Sequence, residues 1–364
     1  MKVLHLSSEK AWRGGEQQIA YLIEELEKRG VENMVLARKG SEFEKYCYRR
    51  NIRVYGVPFS SALDLRAAKA IKILCKEHGI HLVHMHSAKS HSLGVLSAMM
   101  GNPVPLVLSR RVVFPPGKNW FTRWKYNHHS IKKIICVSDK IKAIMQSYLK
   151  EPRKSVTVHS GIDTKKFIDH VNSNKLRKSL NLSPETFLIG NTSALEAEKD
   201  YNTFIHTIAN LAAANLPVTG IIMGSGSKEA ELKALVKQLS LSDRIIFTGY
   251  REDVVELLPG LNIFLMTSAQ EGLGTSVLDA FAAKVAVVAT HAGGIPEMVH
   301  HGKTGLLAPI GDAALLGAHI ARLISDPDFM HTLVSNGQLI LSDFSKERTA
   351  EKTLGIYHEI LQQS

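Results

Sequence analysis

The sequence predicts an α/β fold in which two domains each contain a doubly wound, mostly parallel sheet. Short apolar runs alternate with helical patterns along the whole chain, at the roughly 25–35-residue spacing of strand–helix–strand units. The chain has 364 residues, which suits two domains of about 150–200 residues each. Each half is apolar enough to bury its own core.

The unit on which most of the argument depends runs from residue 263 to residue 299. Strands are predicted at Ile263–Met266 and at residues 285–289. Between them, Gly272 and Gly274 permit a tight turn, and Thr275 is expected to cap a helix. A strand, a loop, a helix and a second strand make a crossover connection, so the two strands are expected to be parallel.

The start of that helix is a candidate site for an anion. Backbone N–H groups near Thr275 and Ser276 have no helical partner, and the helix dipole there stabilises a bound phosphate by about 0.3–1 kcal/mol. Glu271, on the preceding loop, can accept hydrogen bonds from sugar hydroxyls, and Asp279 is one turn into the helix, within reach of a ribose. The alternative is an ordinary acidic loop residue and a solvated helix residue.

The remaining elements follow the same alternation. Gly14 and Gly15 stand before the first helix and form a second anion-facing turn. In the first half, strands are predicted at residues 2–6, 34–37, 54–57, 81–86, 104–108, 134–137 and 156–158, and later helices at 67–76, 87–100 and 139–149. In the second half, further strands are predicted at residues 187–191, 218–223 and 245–248, and further helices at 229–239 and 345–361.

The net charge of +11 is unevenly distributed. Residues 1–163 contain 28 Lys or Arg against 13 Asp or Glu, a net of +15, whereas residues 164–364 contain 17 against 21, a net of −4. The asymmetry predicts that the first half faces an anionic partner, such as phospholipid, a lipid-linked pyrophosphate or an acidic glycan. Nucleic acid is disfavoured because no recognition motif accompanies the charge.

Residues 110–133 contain seven basic residues and no acidic residue. Basic residues interleaved with aromatic ones suit a membrane interface, where each cation contributes about 1 kcal/mol near anionic lipid. The same mixture suits a phosphorylated acceptor, and the alternative is a core helix with a solvated basic face. The candidate acceptor- or membrane-binding residues are Arg110, Arg111, Lys118, Trp120, Arg123 and Trp124.

His84 and His86 end a predicted strand, and their spacing of two places them on the same face. The carboxyl end of a strand is where ligands bind in open α/β sheets. An H-x-H pair is also found in zinc sites, although no further His or carboxylate cluster is visible beside it. The third interpretation is a pair of structural histidines.

Cys47, Cys75 and Cys136 lack the spacing of a metal site. This sparse, odd set, with no signal peptide, predicts a cytoplasmic protein. No apolar run approaches the roughly 20 residues of a membrane-spanning helix. Any membrane association is therefore expected to be peripheral, on the inner face of the cytoplasmic membrane.

These residues resemble the retaining glycosyltransferases of family 4, whose GT-B fold places two Rossmann-like domains across a cleft. The family's frame reads EG-x-G, EA-x-A, P-V-V-A-T and GG-x-P-E, with seven residues between its two glutamates. Here Glu271 and Asp279 occupy the acidic positions. The frame continues at Val287, Val288, Ala289, Thr290, Gly293, Gly294, Pro296 and Glu297. Because Asp is one methylene shorter than Glu, the ribose contact is expected to be weaker or bridged by water.

The resemblance assigns roles in both halves. Lys199 matches the lysine of the family's G-R-L-x-x-x-K diphosphate grip, but Ala194 replaces its arginine, so Ser193 or backbone amides are expected to contribute more. The implied catalytic residues are His86, Lys199 and Glu271. The implied donor-binding residues are Gly14, Gly15, Ser193, Gly224, Tyr250, Arg251, Gly272, Leu273, Gly274, Thr275, Ser276 and Asp279. Asp326-Pro327-Asp328 looks like the D-x-D metal motif of other glycosyltransferases, but its position between two helical patterns predicts a helix break with a cap.

The family's G-[IV]-D segment matches Gly161-Ile162-Asp163 and marks the domain boundary. The resemblance implies an acceptor-binding domain of residues 1–163, on which a helix of residues 345–364 packs, and a nucleotide-sugar-binding domain of residues 164–344. It implies retaining, metal-independent and cofactor-free transfer of a hexose-type sugar from a UDP- or GDP-sugar. The expected acceptor is a glycan or lipid-linked molecule of bacterial surface polysaccharide or lipopolysaccharide assembly. Two alternatives remain: a sugar-nucleotide epimerase on the same fold, and a catalytically silent nucleotide-sugar-binding protein.

Overall fold

The computed structural model of the chain describes residues 1–170 and 173–363. They form two compact units: Met1–Gly161 with Lys346–Ser364, called unit 1, and Ile162–Ser345, called unit 2. The division falls two residues before the boundary expected from the sequence. Its physical reason is that the Ile162 amide donates to Phe344 O at 2.9 Å and Ile162 bridges Ser345, which ties Ile162 to unit 2.

Unit 1 contains a seven-stranded sheet. Its strands are β1 (Lys2–Ser7), β2 (Glu32–Arg38), β3 (Arg53–Val57), β4 (Leu82–Met85), β5 (Leu106–Arg110), β6 (Ile131–Cys136) and β7 (Ser155–Thr157). Its helices are α1 (Gly14–Glu27), α2 (Glu42–Arg49), α3 (Leu65–Glu77), α4 (Ala88–Met99), α5 (Trp120–Tyr126) and α6 (Asp139–Tyr148), with the C-terminal helix Lys346–Gln362. The strand order is β3-β2-β1-β4-β5-β6-β7, with every pair parallel. The order therefore reverses between β1 and β4.

The elements of unit 1 form because their apolar residues can be buried on both faces of the sheet. Strand β1 is buried almost throughout, as expected for a parallel strand covered by helices. Helix α1 buries one apolar face, with Ile23 and Leu26 fully enclosed. Tyr357 and Ile360 of the C-terminal helix join Leu26 in one apolar cluster, so that helix packs within unit 1.

Unit 2 contains a six-stranded sheet. Its strands are β8 (Phe187–Thr192), β9 (Val218–Met223), β10 (Ile245–Gly249), β11 (Ile263–Met266), β12 (Ala286–Thr290) and β13 (Leu306–Ala308). Its helices are α7 (Lys175–Ser179), α8 (Tyr201–Ala213), α9 (Glu229–Gln238), α10 (Val254–Leu257), α11 (Thr275–Ala282), α12 (Ala313–Ser325) and α13 (Pro327–Leu339); the C-terminal helix of unit 1 is then α14. The order is β10-β9-β8-β11-β12-β13, again all parallel. Here the order reverses between β8 and β11.

The central crossover of unit 2 forms as predicted except at the helix cap. Strands β11 and β12 are parallel neighbours, and α11 buries Val277, Leu278 and Phe281. The prediction that Thr275 caps the helix was wrong. Gly274 is the N-cap, in a left-handed conformation at φ 89° that favours glycine, and Thr275 is the first helical residue.

Several shorter elements were missed or displaced in the sequence analysis. Helix α2 and strand β13 were not predicted, and β5 begins at Leu106 rather than at residue 104. Asp326 caps α13, accepting a hydrogen bond from Phe329 N at 3.0 Å, with Pro327 at the first helical position. The prediction of a capped helix break at Asp326-Pro327-Asp328 is therefore confirmed.

The three cysteines are free and buried. Burial raises the pKa of Cys75 to about 11 and the pKa values of Cys47 and Cys136 to about 12, so these thiols are not activated nucleophiles. In the described part of the chain, no helix combines the length and the apolar composition that crossing a bilayer requires.

Candidate functional site

A lysine–glutamate pair lies where the strand order of unit 2 reverses. Loops that follow β8 and β11 meet outside the carboxyl ends of these strands, which is the usual ligand position in open α/β sheets. Lys199 Nζ lies 2.5 Å from Glu271 Oε1, and Ser268 Oγ donates to the same oxygen at 2.9 Å. The Glu271 side chain is 9% exposed and the Lys199 side chain 21% exposed. The structure thus brings together two of the three predicted catalytic residues.

Three hydrogen bonds to backbone carbonyl oxygens hold the segments that carry this pair. Ala269 N donates to Glu198 O at 2.9 Å, and Thr267 Oγ1 donates to Lys199 O at 3.2 Å. Glu271 O accepts from Gly294 N at 3.3 Å. A Cβ added at Gly293, where φ is +53°, would lie 1.8 Å from Glu271 O. Residue 293 must therefore be glycine for this loop to close, which gives the family's glycine pair a physical reason.

The start of α11 follows the pair by a few residues. Gly274 turns the chain into the helix, and its missing Cβ leaves room for Ile295 and Met266. The amides of Thr275 and Ser276 lie in the first helical turn and so have no partner within the helix. Leu273 is buried at 3% exposure and anchors the turn. This end of the helix can bind an anion next to Glu271 and Lys199.

Asp279 has an ion-pair partner that the sequence analysis missed. Lys166 Nζ lies 2.8 Å from Asp279 Oδ1. Lys166 belongs to a 3-10 helix, Thr164–His170, whose Phe167 is fully buried. The contact joins residues more than a hundred positions apart, so no local pattern in the sequence predicts it. The one available signal was that Lys166 lies a few residues after the Gly161-Ile162-Asp163 segment.

Ser193 and Gly224 lie side by side at the ends of β8 and β9. A Cβ at Gly224 would lie 2.0 Å from Ser193 O, so glycine is needed for this close approach. Ser193 Oγ lies 2.9 Å from Tyr201 Oη, which also donates to Asn191 Oδ1 at 3.2 Å. Burial raises the pKa of Tyr201. The Ser193 hydroxyl is thus already engaged with Tyr201, which makes it a weaker replacement for the missing arginine at Ala194 than the sequence predicted.

Tyr250 and Arg251 are not joined to the Lys199–Glu271 pair by any contact among the described residues. Tyr250 is 70% exposed. Arg251 makes two 2.7 Å hydrogen bonds to the Asp253 carboxylate, and Lys175 approaches the same group at 3.1 Å. The Arg251 hydrogen bonds hold the pKa of Asp253 well below its usual range. A base-binding role for Tyr250 and Arg251 stays a prediction.

In unit 1, His86 lies in a buried cluster of three histidines at the reversal between β1 and β4. His5 Nδ1 is 3.0 Å from His86 Nε2, and His5 Nε2 is 3.0 Å from Asn33 Oδ1. His84 lies 2.5 Å from Tyr357 Oη and 2.8 Å from Ser109 Oγ. Burial lowers the pKa of His5 to about 4 and lowers the pKa values of His84 and His86 well below their usual range. The three rings are therefore neutral near pH 7.

The expectation that no further histidine accompanies His84 and His86 was wrong. His5 lies opposite His84 in the parallel register of β1 and β4, and one nitrogen from each of the three rings lies within 4.8 Å of the others. These nitrogens are ligands that zinc accepts, but both nitrogens of His84 and of His5 already have hydrogen-bond partners. The contacts fit a polar network better than a metal centre. His86 Nδ1 is the ring nitrogen left without a partner among the described residues.

Gly14 and Gly15 begin α1 itself, rather than forming a turn before it as the sequence predicted. Gly14 and Gly15 are the first two helical residues, and a Cβ at Gly14 would meet nothing within 4 Å. Glu16 accepts from Arg13 N at 3.2 Å and is 3% exposed, and burial raises its pKa. Arg111 passes beside Gly15, and burial lowers its pKa to about 10.

The basic segment divides into a buried part and an exposed part. Arg110 donates to Tyr126 Oη at 2.8 Å and to Phe114 O, and Arg111 donates to Ser160 Oγ at 3.3 Å. Trp120 is 78% exposed. Lys118 and Arg123 are also exposed, whereas Trp124 is half-buried. The core-helix interpretation was therefore wrong for α5, because Tyr126 is its single buried residue. The helix is only seven residues long, too short for its burial pattern to be recognised in the sequence.

A cavity of about 900 Å³ lies elsewhere in unit 2, near the carboxyl end of β13. Its lining includes His291, His300, His301, Ile310, Leu315 and His319. None of the predicted site residues lines it. Its mostly apolar wall and its position place it outside the chemistry considered above.

Two family profiles match the chain in succession. The profile described as Glycosyltransferase Family 4 matches residues 12–166, and the one described as Glycosyl transferases group 1 matches residues 172–339. Together they span most of both units. The two profiles meet close to the division between unit 1 and unit 2.

Individual relatives support the same assignment. The chain is 23% identical to N-acetyl-alpha-D-glucosaminyl L-malate synthase of Bacillus anthracis, over 87% of this chain and 84% of that protein. It is also 23% identical to lipopolysaccharide core biosynthesis glycosyltransferase LpsE of Rhizobium meliloti (strain 1021), over 97% and 98% respectively. The crystal structure of Anabaena Alr3699/HepE in complex with UDP-glucose matches all of both chains, with a TM-score of 0.84 and 22% identity. The fold is thus that of GT-B glycosyltransferases, with two Rossmann-like α/β domains.

Proposed function

The chain belongs to glycosyltransferase family 4, and we propose that it transfers a hexose from a UDP- or GDP-sugar to a glycan or lipid-linked acceptor. The proposed setting is the assembly of a bacterial surface polysaccharide or lipopolysaccharide. Relatives named for lipopolysaccharide core and for capsular polysaccharide biosynthesis support this setting. The Anabaena structure named for its complex with UDP-glucose supports a nucleotide sugar as the donor.

The observation that carries the proposal is the Lys199–Glu271 pair beside the start of α11. A nucleotide sugar presents a diphosphate and a ring of hydroxyls only a few ångströms apart. The amides of Thr275 and Ser276 and the Lys199 ammonium suit the diphosphate. The Glu271 carboxylate suits the sugar hydroxyls, because it can accept several hydrogen bonds. A loop fixed by three backbone contacts holds these groups in place.

We propose that the reaction proceeds with retention and without a metal. The acceptor oxygen bonds to the anomeric carbon on the face from which the diphosphate leaves, and the acceptor proton passes to the departing phosphate oxygen. Lys199 and the α11 amides stabilise the charge that develops on the leaving diphosphate. His86, whose ring is neutral because burial lowers its pKa, is proposed to form a hydrogen bond to the sugar.

The first test is donor binding followed by product analysis. A nucleotide sugar that binds the native chain raises its Tm, so a panel of UDP- and GDP-sugars identifies the donor. NMR of the product then reports the anomeric configuration, and release of the nucleoside diphosphate reports turnover. Turnover that survives chelation by EDTA is expected. An altered sugar formed without any acceptor would indicate an epimerase, and binding without nucleotide release would indicate a silent binding protein.

We further propose that unit 1 faces the acceptor and the anionic inner surface of the cytoplasmic membrane. Lys118, Trp120 and Arg123 are exposed together around α5, and a tryptophan beside cations suits the headgroup region of a bilayer. The net charge of +15 over residues 1–163 has the complementary sign.

Vesicle sedimentation tests the membrane proposal. Lys118→Ala with Trp120→Ala is expected to lower binding to phosphatidylglycerol-containing vesicles at least fivefold, because it removes about 1 kcal/mol or more of interfacial attraction. Tyr48→Ala with Arg49→Ala is the matched control, since Tyr48 is also an exposed aromatic residue of unit 1, at 61%. Equal losses in both variants, or no loss in the first, would contradict the role of α5.

A further inference from the structure

We infer that Lys166 is a positioning residue of the donor site: it holds the Asp279 carboxylate and offsets its negative charge where a nucleoside diphosphate binds. The inference rests on the proposed function, because it takes the donor to be a nucleotide sugar held at the start of α11. It concerns a lysine outside the glutamate–aspartate frame that carries the family resemblance.

Lys166 is held in place from two sides. Its ammonium lies 2.8 Å from Asp279 Oδ1 and 5.0 Å from the centroid of the Phe167 ring. Phe167 itself is 1% exposed, so the aromatic ring beside the ammonium is held in a fixed position. The two charged side chains are 26% and 24% exposed. This is a partly enclosed pair between two segments of unit 2 that pack against each other, rather than an ion pair along a single helix.

The charge of Asp279 poses a problem for diphosphate binding. Asp279 is four residues after Thr275, so its backbone lies roughly 6 Å along the axis from the helix start where the phosphates are expected. Like charges at that separation repel each other unless a cation lies beside them. Lys166 supplies that cation, and the missing arginine at Ala194 makes the site more sensitive to its loss.

The pair also explains how the shorter acidic side chain is used. Oδ1 of Asp279 is buried and lies 2.8 Å from the Lys166 ammonium as an ion pair without hydrogen-bond geometry, and this charge contact favours one orientation of the carboxylate. Oδ2 then points its lone pairs away from the ammonium and can accept a hydrogen bond from a ribose hydroxyl. A glutamate at this position, one methylene longer, would reach the ribose without a lysine to orient it. The aspartate therefore depends on Lys166 for both its charge balance and its orientation.

The competing interpretation is an ion pair with no bearing on ligands. Partly exposed pairs contribute little to stability, so a change in Tm does not separate the two interpretations, whereas nucleotide affinity does. Lys233 offers a matched control: it pairs with Glu229 in the same unit at 2.7 Å and lies 5.6 Å from the centroid of the Phe247 ring, with its side chain 53% exposed.

The test is calorimetric titration of the full chain with UDP and with GDP. For whichever nucleotide binds the wild type, Lys166→Met is expected to raise Kd about 5- to 10-fold, and Lys166→Arg to stay within about twofold of the wild type. Asp279→Asn added to Lys166→Met is expected to recover part of the loss, because it removes the uncompensated carboxylate. With donor and acceptor present, the KM for the donor should rise in Lys166→Met while kcat changes less than twofold.

The binding results distinguish failure of the proposed function from failure of the role inferred for Lys166. Wild type that binds neither UDP nor GDP contradicts the proposed function, and this inference with it. Wild type that binds, with Lys166→Met unchanged or no weaker than Lys233→Met, overturns the inference alone. A double variant as weak as Lys166→Met would overturn the charge-offset argument. Recovery in Lys166→Arg and in the double variant is the outcome that a merely structural lysine does not give.

Discussion

Replacing Glu271 by alanine tests the central pair most directly. The substitution removes the carboxylate that lies 2.5 Å from Lys199 Nζ and accepts from Ser268 Oγ at 2.9 Å. It leaves the backbone of the loop intact, because the contacts to Gly293 and Gly294 involve Glu271 O rather than its side chain. Loss of activity can therefore be separated from collapse of the loop.

Two magnitudes follow from these contacts. A carboxylate that orients a substrate in a partly dry site commonly contributes about 100-fold or more to kcat/KM, which is about 2.7 kcal/mol. Breaking a fully buried pair costs about 3–5 kcal/mol in stability. Here Lys199 is 21% exposed and can be solvated by water, so the expected loss is smaller, about 1–3 kcal/mol. A fall in Tm of roughly 3–8 °C is expected for a unit of this size.

The assay is the rate of nucleoside diphosphate release with the identified donor and acceptor. Glu271→Gln keeps the shape and the hydrogen bond to Ser268 but loses the charge, so its activity should fall between those of the wild type and Glu271→Ala. Glu231→Ala is the control, since Glu231 forms a similarly short pair with Lys228, at 2.7 Å, in which the two side chains are 57% and 40% exposed. If Glu271→Ala keeps nearly wild-type kcat/KM with the protein folded, Glu271 is not part of the active site.

Two further predictions concern the backbone and the buried rings. Gly293→Ala should lower Tm by more than 5 °C and abolish turnover, because its Cβ would strike Glu271 O. Gly302→Ala, at φ +73° in open space, should cost only about 1–2 kcal/mol, and equal effects would contradict the steric argument. Burial lowers the pKa of His5 to about 4. Its contribution to stability is therefore complete above pH about 6.5 and is lost as the pH falls towards 4, by about 3 kcal/mol. Urea unfolding that gave the same stability at pH 7 and pH 5 would refute this, and His5→Gln should flatten the dependence.

The fold could be predicted from the sequence because its parallel strands are short apolar runs that alternate with helical patterns, and this regular spacing is visible in the sequence. Ile263–Met266 and Val218–Met223 have the predicted bounds. The misses have different causes. Helix α5 and strand β13 are seven and three residues long, too short to show a periodicity. Thr275 was taken as a cap because its hydroxyl suits that position, whereas the backbone requires the left-handed Gly274 there.

The site could be predicted only as far as single residues, because its pairings connect distant parts of the chain. Glu271 and Lys199 were recognised separately, and their contact joins residues 72 positions apart. His5 and Lys166 were missed for the same reason. Each is an ordinary residue in its own segment, and only the register of β1 with β4 or the packing of a 3-10 helix on α11 gives it a partner.

Glu271 and Asp279 share one arrangement, in which each is paired with a lysine from an earlier 3-10 helix. A bound donor is expected to change the contacts of the two pairs differently. Lys199 is expected to turn from Glu271 to the diphosphate, which frees the glutamate for sugar hydroxyls and replaces one charged contact by two. Lys166 is expected to stay on Asp279, because that carboxylate gains no other cation when the phosphates arrive. Substitution of Lys199 should therefore lower kcat as well as donor affinity, whereas substitution of Lys166 should lower mainly the donor affinity. If both substitutions had the same effect on kcat and on affinity, the two lysines would not have these different roles.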